Sequence, residues 1–212
     1  MISRVGRSLG AVLLGLAGAQ GLGACASPAP QLSAEAVVLQ LPLVRQDELY
    51  ECGLVSISAL CSYYGIAIPN ELRAELALLA VEHEGLSGAE LRAALEELGM
   101  EVFVFSGTLD RSETGLKRQA DRGRPTIVMI SDDGEHHHYC LFLGYDEPLD
   151  QIVLLDPRRG RVLLPEAVFD RTWERSRRFT LLSLPLDSSA PSTHAVGAAP
   201  ATGERPEPEE PR

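Results

Sequence analysis

Apolar residues change their spacing along this chain, and the change marks a passage from helices to strands. Between positions 52 and 64, Leu54, Ile57, Ser58 and Cys61 recur at the interval of a helix face, and Gly65 follows as a C-terminal stop. Residues 69–81 form a second helical stretch, with Pro69 suited to its first turn. The sharpest boundary is Ser87-Gly-Ala-Glu90, a capping box in which the serine hydroxyl and the glutamate carboxylate satisfy exposed backbone N–H groups. Leu91, Ala94, Leu95 and Leu98 form the buried stripe of that helix, and Gly99 ends it. Short strand-like runs then take over, at 101–105, 126–130 (behind Pro125), 139–145, 151–155, 162–164 and 179–184. Pro-Leu-Asp and Arg-Arg-Gly supply turns between them. A more polar helix or turn is expected over 112–122 and a short helix over 165–173, while an early apolar run, 36–44, reads as a strand leading into Gln46. Helices gather in the first half and strands in the second, which predicts an α+β domain over 36–184.

The two ends of the chain have a different character. Arg4 and Arg7 precede an apolar run from Leu9 to Leu22, the pattern of an export signal, too short and too rich in small residues for a comfortable membrane span. It closes on Leu22-Gly23-Ala24-Cys25, which resembles the bacterial lipobox. The resemblance implies cleavage of residues 1–24 and a diacylglycerol on Cys25, with residues 25–35 as a tether. The expected location is therefore the bacterial cell envelope, lipid-anchored and extracytoplasmic. An ordinary secretory signal with an incidental cysteine is the simpler alternative. From 185 to 212 Pro, Ala, Ser, Thr and Glu dominate without apolar periodicity, the composition of a disordered tail.

Charge narrows the partners. The chain carries a formal net charge of -11, and loss of the two signal arginines would leave -13. Such a field repels nucleic acid and anionic headgroups, so no nucleic-acid role is expected, and membrane attachment would rest on acyl chains.

Candidate chemistry begins at Cys52. A free thiol has a pKa of about 8.5, and the positive end of a helix favours its thiolate, so a cysteine opening a helix is a candidate nucleophile. His138 heads one strand-like run and Asp156 closes another, which completes the parts of a thiol-hydrolase triad. Taken singly, the cysteine reads as core and Asp156-Pro157 as a turn. Cys61, nine residues beyond Cys52 and on the opposite face of its helix, reads as a small buried hydrophobe; Cys61 and Cys140 are also the two thiols left over to pair in an oxidising compartment. In an extended His136-His137-His138-Tyr139-Cys140 run, His136, His138 and Cys140 share a face, a set that suits zinc. One short segment supplies all of these ligands, so no metal is assigned. His83 and His194 carry no signal.

Several of these residues together resemble the double-glycine leader peptidases that process bacteriocin precursors, within the papain-like clan. They are Gln46, six residues before Cys52; Glu51-Cys52-Gly53; Tyr63-Tyr64-Gly65; His138-Tyr139 running to Gly144; and Asp156-Pro157 running to Gly160. The resemblance covers about residues 40–184. It implies a papain-like fold, N-terminal helices packed on an antiparallel sheet, and a cofactor-independent cysteine endopeptidase. It implies Cys52 as nucleophile, His138 as general base and then acid, Asp156 as the group orienting the imidazole, and Gln46 as an oxyanion donor beside the Cys52 N–H. Gly53 is expected to admit a substrate backbone. Well-known members are fused to a transporter; no membrane-spanning region or ATPase motif accompanies this domain, so separate export machinery is the expected partner and an envelope peptide or protein as fitting a substrate as a double-glycine leader. The alternative is a non-catalytic peptide-binding or assembly lipoprotein on the same fold.

Overall fold

The computed structural model describes residues 31–46, 48 and 50–186. The expected signal, Cys25 and most of the tether and tail lie outside these residues. Three helices come first: α1 (Cys52–Tyr64), α2 (Asn70–Glu82) and α3 (Gly88–Glu97). Gly65 ends α1 in the left-handed conformation, and its N–H reaches back to the Cys61 and Ser62 carbonyls. Pro69 stands just before α2, where its missing N–H costs nothing. The capping box forms as its spacing predicts: the Glu90 N–H donates to Ser87 Oγ at 3.3 Å and the Ser87 N–H to Glu90 Oε2 at 2.6 Å.

The strands are β1 (Val37–Val38), β2 (Met100–Ser106), β3 (Thr126–Ile130), β4 (His138–Asp146), β5 (Gln151–Asp156), β6 (Gly160–Pro165) and β7 (Phe179–Pro185), with α4 (Leu116–Asp121) before β3 and α5 (Glu166–Glu174) before β7. They join in one antiparallel sheet in the order β2-β7-β3-β4-β5-β6, and β1 is added to β4. The expected strand over 36–44 is thus reduced to two residues. β3 occupies one edge of β4 only from His138 to Phe142, and β1 takes the same edge where it falls free, pairing with Gly144 and Tyr145. One more bond, from the Leu39 N–H to the Leu143 carbonyl at 2.9 Å, closes this pairing before Pro42, which has no N–H to give. Gly144 permits the approach, since a Cβ there would lie 1.8 Å from the Val37 carbonyl oxygen. The expected polar helix over 112–122 is helical only from Leu116; the stretch before it is held by Asp110, which accepts from the Thr108 hydroxyl and the Ser112 N–H, both at 2.8 Å.

Side-chain alternation along the central strands divides the interior into two cores. Tyr139, Leu141, Leu143, Val153 and Leu155 face α1, α2 and α3, meeting Ile57, Leu60, Leu76, Leu91 and Leu95. Cys140, Phe142, Ile152 and Leu154 face the other way, against Leu116 of α4 and Phe169 and Trp173 of α5. The α+β architecture expected from the sequence is present, with a second helical layer behind the sheet. No helix among the described residues is long and apolar enough to cross a membrane.

Candidate active site

Cys52 is the first residue of α1 and is 8% exposed. Its neighbour Glu51 caps the helix without a side-chain bond to the exposed N–H groups, so the positive end of α1 is directed at the thiol. Burial pushes the Cys52 thiol up, yet contact with the His138 imidazole, the Tyr139 N–H, the charge on His138 and the Gly53 N–H together outweigh it, and the pKa falls below the ordinary thiol value. Gly53 has a different task from the one expected. It is buried, and a Cβ would press on Leu86 and Leu91 at 3.1 Å, so its bare Cα seats α1 against α3 and offers no surface to a substrate.

His138 and Asp156 meet across the end of the β4–β5 ladder, with His138 Nε2 3.0 Å from Asp156 Oδ1. Asp156 is almost wholly buried. Burial raises its carboxyl pKa, but the bonds to His138, Arg159 Nε (2.7 Å) and the Arg158 N–H (2.8 Å) hold it well below the usual carboxylate range. An ionised carboxylate accepts and cannot donate, so Nε2 carries the proton of this bond. Nδ1, buried and without a well-aligned partner, is left as the ring nitrogen available to the Cys52 thiol. Burial alone would lower the His138 pKa; Asp156 above all, then Cys140 and Cys52, reverse this and raise it well above the imidazole range. A lowered thiol beside a raised imidazole is the electrostatic signature of a thiolate–imidazolium pair.

Gln46 is tied to the same corner. Its N–H donates to the Pro157 carbonyl at 3.0 Å, immediately after Asp156, and its Nε2 donates to the Glu48 carbonyl at 2.9 Å. That bond fixes the amide orientation and leaves Oε1 buried without a partner.

The zinc set suggested by the histidine run is not assembled. His136 is 87% exposed, with Nδ1 2.7 Å from Asp133 Oδ2, while His138 and Cys140 gather with Asp156, their donor atoms all within 4.8 Å of one another. In that trio Asp156 already accepts from His138 Nε2, the Arg158 and Arg159 N–H groups and Arg159 Nε. Its oxygens are thereby engaged by donors, an environment built for an imidazolium. Cys52, Cys61 and Cys140 are all free thiols. Cys61 is buried among the α1–α3 core and Cys140 lies on the other face of the sheet, so the sheet itself separates the pair that composition left open.

Sequence reasoning did not find Arg159, which lies three residues after Asp156 and looks like a solvated turn residue; only its reach back to a buried carboxylate gives it a role. It also had no means of finding the Tyr139 N–H, a backbone group whose direction is set by the strand.

The model of the peptidase C39 family matches residues 40–180. Among solved structures, a double-glycine motif protease from an AMS/PCAT transporter, in complex with its leader peptide, is 21% identical with a TM-score of 0.55, covering 70% of this chain and 94% of that one. The peptidase domain of Streptococcus ComA, a bifunctional ABC transporter of a quorum-sensing pathway, is 19% identical with a TM-score of 0.54, over 69% and 98%. A putative C39-like peptidase from Bacillus anthracis is 15% identical with a TM-score of 0.53, over 71% and 98%. No curated protein matches the chain.

Proposed function

The chain belongs to the peptidase C39 family and is a cysteine peptidase, and from that premise we propose that Cys52, His138 and Asp156 are its catalytic triad. The observation that carries this reading is the commitment of His138 Nε2 to a buried, ionised Asp156, which leaves Nδ1 for the thiol at the start of α1. The Cys52 thiolate attacks the scissile carbonyl carbon, the C=O electron pair moves onto oxygen, and the oxyanion so formed accepts hydrogen bonds from the Cys52 N–H and from the second proton of Gln46 Nε2. Imidazolium Nδ1–H then gives its proton to the leaving amine as the C–N bond breaks. A thioester to Cys52 remains. Water attacks it with Nδ1 as base; the C–S bond breaks, the acid product leaves and the thiolate–imidazolium pair returns. Asp156 stays ionised throughout, holding the ring plane and the tautomer.

The substrate is a peptide or protein cleaved after a double-glycine leader, supported by the leader peptide bound to a relative of the same fold. The site acts on the extracytoplasmic side of a bacterial membrane, anchored by lipid on Cys25 and working beside separate export machinery, supported by the signal-like pattern of residues 1–25.

The test is thiol labelling. Iodoacetamide is expected to modify Cys52 selectively and at a pH below that needed for Cys61, whose thiol burial pushes up to about 11. His138→Ala should abolish this preference, and Cys52→Ala should remove label and turnover of a double-glycine peptide together. Equal labelling of Cys52 in wild type and His138→Ala, with no turnover, would identify a peptide-binding module instead.

A further inference from the structure

Peptide hydrolysis by this triad has no use for a second thiol, yet one is built against the imidazole. Cys140 follows His138 by two positions on β4, so both side chains leave the same face of the sheet. One step beyond the Leu141–Leu155 pair, it stands across from Asp156. The Cys140 sulfur, His138 nitrogen and Asp156 oxygen lie within 4.8 Å of one another, and Cys140 is 0% exposed and unbonded to any other cysteine. Behind it are Phe142 and the α4 and α5 side chains, so the sulfur has no room to withdraw.

We propose that Cys140 is a positioning residue for His138: its sulfur closes the side of the Nε2 pocket that Asp156 leaves open, and so holds the ring with Nδ1 toward Cys52. This inference rests on the triad reading above. The physical reason lies in the size and softness of sulfur. An imidazole held by a single hydrogen bond retains a rocking motion about its χ2 torsion, which is broad. A bulky, polarisable atom beside Nε2 blocks that rotation and weakly accepts the same N–H, without the desolvation cost of a second charge. Serine supplies the acceptor but not the volume. Valine supplies the volume but not the acceptor.

The charged and titratable groups facing His138 are Asp156, backed by Arg159, from the β5–β6 turn, Cys52 from α1 and Cys140 from its own strand. Removing the Cys140 sulfur therefore leaves Asp156 as the only firm hold on Nε2. The experiment compares Cys140→Val and Cys140→Ser in the full chain with Cys52→Ala and His138→Ala as references. Cys140→Val is expected to lower kcat by about 10- to 100-fold at nearly unchanged KM. It should also move the alkaline limb of the pH–rate profile to lower pH and shift the His138 ring 15N signals, recorded at a pH on the wild-type plateau, away from the imidazolium form. Cys140→Ser should recover part of kcat and of the ring signal. Wild-type kcat, alkaline limb and ring signals in folded Cys140→Val would overturn the proposal while leaving the triad intact. Undiminished turnover in His138→Ala would overturn both.

Discussion

At the residue scale, the chemistry depends on two proton affinities moved in opposite directions. Because the Cys52 thiol lies below its ordinary value and the His138 imidazolium above its own, the pH window in which the charged pair exists is widened at both ends. Activity is expected to rise with pH on an acid limb lying below the usual thiol range, and to fall only where His138 finally loses its proton. Asp156→Asn keeps an acceptor for Nε2 but removes the charge that raises the imidazole, so the alkaline limb should move to lower pH while kcat drops by about 100-fold. A pH–rate profile of both proteins checks the direction; an unmoved alkaline limb in the variant would deny Asp156 its role. Gln46→Ala should cost about 100- to 1,000-fold in kcat if its amide meets the developing oxyanion, measured at saturating peptide. Cys52, His138, Asp156 and Gln46 could all be picked out by type and order, whereas Arg159 could not. An arginine beside Asp-Pro is common in turns, and only burial of the carboxylate makes its guanidinium matter.

At the element scale, each group of the proposed triad occupies an end: the first turn of α1, the first residue of β4 and the last of β5. Ends are where backbone N–H groups and side chains escape the regular ladders, so they can be aimed at a substrate. The α3 capping box tests how far helix termini matter to stability apart from function. Ser87→Ala should destabilise the fold by about 1 kcal/mol, read by denaturant unfolding, with kcat unchanged because the Ser87 hydroxyl bonds the Glu90 N–H and not a group of the proposed triad. Gly144→Ala should be worse, by about 1–3 kcal/mol, since its methyl would collide with the Val37 carbonyl and expel β1 from β4. Melting temperature is the measurement, and a neutral result would mean that β1 contributes little. The elements flanked by caps, prolines and glycines were legible nearly to the residue. The run 36–44 was not, because its pairing is limited by where β3 ends, a distant event that local alternation does not encode.

At the scale of the whole molecule, the site lies at one end of a sheet clamped between two helical layers. α1 delivers Cys52 from one layer, while Cys140 of the His138–Asp156–Cys140 trio packs into the other. Packing behind the trio is therefore expected to bear on the geometry of the proposed triad. Phe169 and Trp173 stack with ring centroids 5.3 Å apart, and Trp173 Nε1 donates to the Phe179 carbonyl at 3.0 Å, locking α5 to β7. Trp173→Ala is expected to destabilise by about 3–5 kcal/mol and to lower the unfolding temperature. Any surviving folded fraction should also show a weaker pH-dependent preference for labelling Cys52, although the substitution lies on the sheet face opposite α1. Retention of full preference would separate the two layers functionally.

The sequence by itself determined the α+β class, the helix and most strand boundaries, the family and the thiol, imidazole and carboxylate that are candidates for the proposed triad, because these follow from short-range periodicity, capping chemistry and residue type. Tertiary structure alone decided which ring nitrogen faces Asp156, that Gly53 serves packing, that Cys61 and Cys140 lie on opposite faces of the sheet, and that Cys140 stands beside the His138 ring. Those facts depend on strand register and on which face each side chain leaves. Both arise when distant segments pack, and neither is written in the spacing of neighbours along the chain.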